Sequence, residues 1–200
     1  MILITPTTNY DTVKELNLES NEDVFLFISK NSKVNVTLHI NKEGICANLY
    51  GIVIGRNNDV IDANIISNHN VGNSKSYVYI KSVILDKSIF NFNGLIKIKK
   101  NANLSDAYLK NDNLVISQDA KVNSKPQLEI ESDDVKASHG VTIKTVSDQE
   151  KHYLMSRGLD NTLSQKLIIE GFIKDLTCKI TNKYIKNKIA TTYEEILAIK

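Results

Sequence analysis

From Val24 to Ile130 the chain repeats one device: a short run of Ile, Val, Leu and Tyr, then a cluster of Asn, Asp, Ser, Lys or Gly. The runs are Val24–Ile28, Val34–Ile40, Ala47–Ile54, Val60–Ile66, Tyr77–Leu85, Leu95–Ile98, Leu114–Ile116 and Leu128–Ile130. Their starts recur roughly every 10 to 19 residues, with punctuation such as Asn41-Lys-Glu-Gly44 and Arg56-Asn-Asn-Asp59 between them, which is the grammar of strands and turns. Side chains change face at each residue of a strand, so Val34, Val36, Leu38 and Ile40 share one face, and Ile96 and Ile98 oppose Lys97 and Lys99. One face is buried and the other wet. No amphipathic helix interrupts this region, which argues against helical crossovers and predicts an all-β body. Strand spacing leaves two architectures open, an antiparallel sandwich and a parallel β-helix of stacked coils. The Asn-rich corners lean towards the second.

The pattern changes at Ser147. Ser147-Asp-Gln-Glu150 has the form of a capping box, in which the hydroxyl accepts from the backbone three residues on and the glutamate reaches back. A helix is predicted from there to Arg157-Gly158, where glycine supplies a left-handed stop. Asp160 or Asn161 can cap a second helix whose Leu163, Leu167, Ile168, Phe172 and Leu176 fall at helical spacing. Further helical stretches are expected within Lys183–Ile189 and from Tyr193 to Ile199. The predicted organisation is a short N-terminal segment over residues 1–24, a β body over 25–146 and a helical domain over 147–200.

Two hundred residues, 42% of them hydrophobic, can bury one substantial core. Basic and acidic residues number 25 and 23 and are spread along the chain, so no single-sign block suggests nucleic-acid binding. Two cysteines, Cys46 and Cys178, are too few for a disulfide-stapled secreted scaffold and fit a reducing, cytoplasmic compartment. No window holds about 18 uninterrupted apolar residues, and the N-terminus lacks a signal-peptide pattern, so no membrane role is expected.

Pro126-Gln-Leu-Glu-Ile130, Asp133-Asp-Val-Lys136, Ser138-His-Gly140, Ser156-Arg-Gly158 and Leu167-Ile-Ile-Glu-Gly-Phe172 follow one another closely. Upstream stand Asn93-Gly-Leu-Ile96, Asp106-Ala-Tyr108, Asn113-Leu-Val-Ile-Ser117 and Asp119-Ala120, with Leu49-Tyr-Gly51 and His69 earlier. This ordered string resembles the SufB/SufD family of iron–sulfur cluster assembly scaffolds from about Val34 to Leu176. The resemblance implies a right-handed parallel β-helix followed by a small helical domain, a dimer through the final β-helix strands with a SufB-like subunit or a second copy, and a helical end that docks SufC, an ABC-type ATPase. Ser138-His-Gly140 is closer to the SufD branch. Ala137 stands where the family carries a cysteine, and the N-terminal extension of larger members is missing or reduced.

Iron–sulfur clusters are usually held by four thiolates, with histidine an occasional substitute. Two cysteines cannot furnish a private site, so any cluster is shared with a partner. Cys46 reads as a small core residue and Cys178 as a helix-packing one. The resemblance places His139 at the dimer seam as a candidate cluster ligand, neutral imidazole being a competent metal ligand near pH 7; the bland alternative is a histidine that hydrogen-bonds across the seam and touches no iron. Glu129 and Glu131 suit a solvated face, and Asp133-Asp134 a turn. His39, His69 and His152 lack partners at metal-ligand spacing. Arg157 and Phe172 are the candidate anchors for the ATPase, because arginine and aromatic residues dominate binding hot spots, against a plain wet helix face for the surrounding lysines. No phosphate-binding loop is present, so the chain is expected to be a scaffold and not an enzyme. Two other readings compete: a degenerate structural partner in the same complex, and a β-helical carbohydrate-active enzyme, which the absence of tryptophan and of a signal peptide disfavours.

Overall fold

The computed structural model describes residues 2–5, 11–179, 183, 186, 187 and 191. Eleven strands run β1 (Ile2–Ile4), β2 (Asp11–Leu18), β3 (Glu22–Ile28), β4 (Ser32–Ile40), β5 (Cys46–Gly55), β6 (Val60–His69), β7 (Lys75–Ile84), β8 (Ile89–Ile98), β9 (Ser105–Val115), β10 (Lys121–Ile130) and β11 (Val135–Thr145). Odd strands form one sheet, in the order β1-β3-β5-β7-β9-β11, and even strands the other, β10-β8-β6-β4-β2. Pairing is parallel from β1 to β9 in the first sheet and from β2 to β10 in the second. Consecutive strands therefore alternate between sheets and each strand pairs with the one two places on, which is a parallel β-helix with two strands per coil. The antiparallel sandwich is excluded.

The coils stack because equivalent residues fall on the same row. Val36, in β4, lies beside Ile65, in β6, which lies beside Gly94, in β8. Val34, Val36, Leu38 and Ile40 face Leu49, Val53, Val78, Ile80 and Ile84 across the interior, joined by Phe90, Phe92, Ile96 and Leu109 in one buried cluster. Burial of each such side chain contributes about 1.5–3 kcal/mol. A one-residue slip of any strand would turn its whole apolar row to solvent, so burial also fixes register.

Part of the asparagine enrichment is structural. On the outer face of the even sheet, the Asn93 amide donates to Asn64 Oδ1 (2.8 Å), Asn64 to Asn35 (2.7 Å) and Asn35 to Asp11 Oδ1 (3.2 Å). Asn123 donates to Asn91 (2.8 Å) and Asn91 to Asp62 (2.7 Å). Every donor points to the preceding coil, and both ladders end on a carboxylate. The corners stack through backbone bonds of the opposite sense: Asn73 N–H donates to Asn103 O (2.7 Å) and Leu104 N–H to Asp134 O (2.6 Å), each on the following coil. Gly44, Asn73 and Leu104 take left-handed φ values of 76°, 48° and 60° at these corners, a conformation natural to glycine and asparagine but strained for leucine.

The contacts divide the chain into residues 1–143 and 144–200. In the second unit Ser147 caps α1 (Asp148–Ser156) with both bonds of the capping box, and the turn at Arg157-Gly158 ends it with Gly158 at φ 89°. Asp160 caps α2 (Asn161–Cys178) by accepting from Leu163 N–H at 2.7 Å. The buried stripe of α2 is Ile169, Ile173 and Leu176, whereas Leu163 and Leu167 are 42% and 40% exposed. The expected stripe is thus corrected by rotation: the β-branched residues are covered and two leucines face water. Cys178 is exposed at the helix end rather than packed. The helical stretches expected at Lys183–Ile189 and Tyr193–Ile199 lie largely outside the described residues.

Candidate functional site at the open end of the β-helix

The last coil is where the interior meets solvent. In β10 the inward row is Val122, Ser124, Pro126, Leu128 and Ile130, in register with Phe90, Phe92, Gly94, Ile96 and Ile98 of β8. In β11 Val135 and Ala137 pack partly against the core, and alternation extends their row to His139, Val141 and Ile143. Among the described residues no further coil follows them, and Leu128, Ile130 and Ile143 are 37%, 42% and 55% exposed. His139 is exposed among them. The site is therefore an apolar rim with one imidazole, at the edges of both sheets. Gly140 points to the other face, where a Cβ would lie 3.5 Å from the Tyr108 hydroxyl.

Charges frame the rim. Glu129 and Glu131 are exposed on the outer face as expected, and Lys97 pairs with Glu129 at 2.5 Å. That hydrogen bond raises the Lys97 ammonium above its ordinary range. Asp133 and Asp134 form the bend between β10 and β11. Among the described residues, no group of three or more His, Cys, Asp and Glu side chains could hold a metal ion. His139 is thus at most one ligand of a shared set.

Behind the rim the interior is polar but saturated. Asn113 donates to Asn111 Oδ1 (2.8 Å) and to Thr142 O (2.9 Å), while Ser124 and Ser82 donate to Asn111 Oδ1 (2.8 Å) and Asn113 Oδ1 (2.6 Å). A second network surrounds His69, which is fully buried. Ser67 donates to Ser76 Oγ (2.8 Å) and Ser74 to Val71 O (3.1 Å); His69 Nε2 and Nδ1 lie 2.8 Å from Ser76 and Ser74. With those hydroxyl protons committed, Ser76 O–H donates to Nε2 and Nδ1–H donates to Ser74, which assigns the neutral Nδ1–H tautomer. Burial holds the His69 imidazole down at about 4, partly offset by Asp106. His69 is accordingly a structural residue. The sequence pattern missed both networks, because polar residues that satisfy one another inside a coil break the apolar alternation.

The remaining candidates lie elsewhere. Cys46 is half-buried at the start of β5, not in the core. Burial pushes its thiol up, opposed by Lys75 and assisted by Asp23 and Asp106. His39 lies 3.3 Å from Glu15 Oε2 on the outer face. Arg157 and Phe172 belong to the second unit and His139 to the first. The Arg157 guanidinium sits 5.5 Å from the centre of the Tyr153 ring, and Tyr153 and Met155 are themselves 60% and 44% exposed. Phe172 is half-buried on α2. No helix among the described residues is long and apolar enough to cross a membrane.

Comparison with known proteins agrees with this geometry. Residues 17–172 match the core domain of SufBD proteins of the SUF system for FeS cluster assembly. The chain is 34% identical over 155 residues to the iron–sulfur cluster assembly protein SufD of Escherichia coli, covering 78% of this chain and 37% of that protein. It is 28% identical over 156 residues to SufD of Bacillus subtilis, covering 74% and 36%. A SufBD family protein of Synechocystis is 39% identical over 89 residues, 44% of this chain and 20% of the relative. The matched stretch thus spans little more than a third of the SufD relatives' length. With the core domain matched over most of its residues, this chain belongs to the SufB/SufD family of iron–sulfur cluster assembly proteins.

Proposed function

We propose that the chain is a cytoplasmic scaffold subunit of the SUF iron–sulfur cluster assembly system, not an enzyme in its own right. It pairs at the open end of its β-helix with a second SufB/SufD-type subunit and docks a SufC-type ABC ATPase through its helical unit. The observation that carries this reading is the rim itself: an exposed inward row of Leu128, Ile130 and Ile143 with His139 among them. Apolar side chains of a row that is buried in the preceding coils are part-exposed here, which supports a surface for a second polypeptide. The cluster is cargo held across the seam, with His139 supplying one nitrogen donor and the partner the rest.

His139→Ala should abolish cluster maturation in a complementation assay and leave both the thermal midpoint and subunit pairing as they were, because the side chain is exposed and makes no core contact. Wild-type maturation by that variant would leave the chain as a structural partner only, the second reading, which Ala137 in the place of the family cysteine favours. For the ATPase, a chain ending at Val146 should lose capture of a SufC-type subunit, and Arg157→Ala should weaken it about tenfold or more, as for a hot-spot arginine. Undiminished capture by the shortened chain would remove the helical unit from the docking role.

A further inference from the structure

Burial sets the register of the inner coils, because a slip there would turn a full apolar row to solvent. That safeguard is missing at the far end of β11. Val135 and Ala137 still pack partly against the core, but His139, Thr142 and Ile143 are exposed. A different set of contacts holds this stretch. Asn113, in β9, reaches Thr142 from the interior, its side-chain amide donating to Thr142 O at 2.9 Å. Asp112, on the opposite face of the same strand, reaches it from outside, its Oδ1 accepting the Thr142 hydroxyl proton at 2.7 Å. One residue of β11 is thus gripped on both faces by consecutive residues of β9.

Both arms are themselves fixed. Asn113 is fully buried. Its second amide hydrogen goes to Asn111 Oδ1 (2.8 Å) and its own Oδ1 accepts from Ser82 (2.6 Å), so turning the amide over would set oxygen against oxygen. Asp112 is 8% exposed, and its Oδ2 is held by the Lys110 ammonium at 2.9 Å. A carboxylate anchored on one oxygen makes a strong acceptor of the other. The start of β11 is pinned separately, where Leu104 N–H donates to Asp134 O and Val135 and Ala137 meet the core.

We propose that Thr142, with Asp112 and Asn113, forms a register lock that presents His139 at the rim. The inference rests on the reading of His139 as a cluster donor and adds the positioning residues that make it one. His139 lies between two pinned points, so the number of residues spanning them is fixed. A one-residue slip would bring Ser138 or Gly140 to its place and turn the imidazole to the outer face. An inward row left open to solvent cannot resist that slip by burial. A polar lock three residues on can, and it does so without covering the histidine.

Nitrogen-15 NMR of the full chain, with complementation alongside, tests this. Thr142→Val keeps the branched shape and deletes the donor. Amide exchange over residues 140–143 should rise about tenfold, as for a lost hydrogen bond to a charged group, and the His139 ring should give a second set of signals. Exchange in β4 to β8 should stay at the wild-type rate, while cluster maturation falls. Thr142→Ser, which keeps the hydroxyl, should restore the exchange, the single set of ring signals and maturation. Asp112→Ala should loosen the same stretch, and combining it with Thr142→Val should add nothing there, because both remove one bond. Wild-type exchange and ring signals in Thr142→Val would overturn the lock. So would a loosened strand that matures clusters normally while His139→Ala does not. Normal maturation by His139→Ala would instead remove the donor role itself, and with it the purpose of the lock, whatever the exchange shows.

Discussion

Acidification from pH 7 to pH 4 should cost the β-helix roughly 3 kcal/mol through His69 alone. The imidazole is held at about 4 in the folded chain against an ordinary value of 6.5. The unfolded chain therefore takes up this proton first. Stability is fully present above about pH 6.5 and is lost as pH falls through the window down to about 4. The physical cause is the hydroxyl chain. Ser76 O–H donates to Nε2, so a proton arriving there forces that hydroxyl to turn away from Ser67 and His69 and leaves a charge in a buried site. Urea unfolding at pH 7.0, 5.5 and 4.5 measures the effect, and His69→Gln should flatten the slope over that window. An unchanged slope in the variant would show that other groups carry the acid sensitivity.

Gly72→Ala should be the most damaging single methyl group in the β body. A Cβ there would lie 2.4 Å from the carbonyl oxygen of Asn103 and 3.1 Å from its nitrogen. Neither atom can yield cheaply, because Asn103 O accepts the Asn73 N–H at 2.7 Å in the corner stack. Overpacking against backbone places the loss at roughly 2–3 kcal/mol, or about 5–10 °C in thermal midpoint for a chain of this size. Gly171, inside α2, has nothing within 4 Å of its Cβ position, so Gly171→Ala is the internal control and should be neutral or stabilising by up to about 1 kcal/mol. A Gly72→Ala protein that melts with the wild type would mean that successive corners are not in contact.

What the sequence made legible follows from which interactions leave an apolar trace. β4 could be read almost to its ends, since Val34, Val36, Leu38 and Ile40 alternate without a fault. Only Leu95–Ile98 of β8 stood out, because Asn91 and Asn93 spend their side chains on the ladders and Gly94 makes room for Leu109. In β9 the inward Asn111 and Asn113 hid most of the strand, and in β10 and β11 the exposed last coil keeps lysines and glutamates beside its inward row, with Pro126 within it. β2 was missed for the complementary reason: an edge strand with Lys14 facing inward does not alternate. The cap of α1 was readable at Ser147 because a capping box is local chemistry, while the buried face of α2 depends on packing and was assigned one step round the helix. His139 was singled out by its motif. That it stands in an exposed apolar row only became evident once the coils were counted.

The one-way asparagine ladders give the β-helix a grain. Each amide hands its hydrogen to the coil before it, and the first acceptors are the carboxylates of Asp11 and Asp62. A newly added coil therefore finds ready acceptors on the coil already in place, whereas a coil added from the other side would have to present them itself. Successive rungs lie 24 to 32 residues apart in the chain, so assembly can advance one turn at a time from the amino-terminal side, in step with synthesis, as in other solenoids. The rim around His139 would then be the last part of the wall to form.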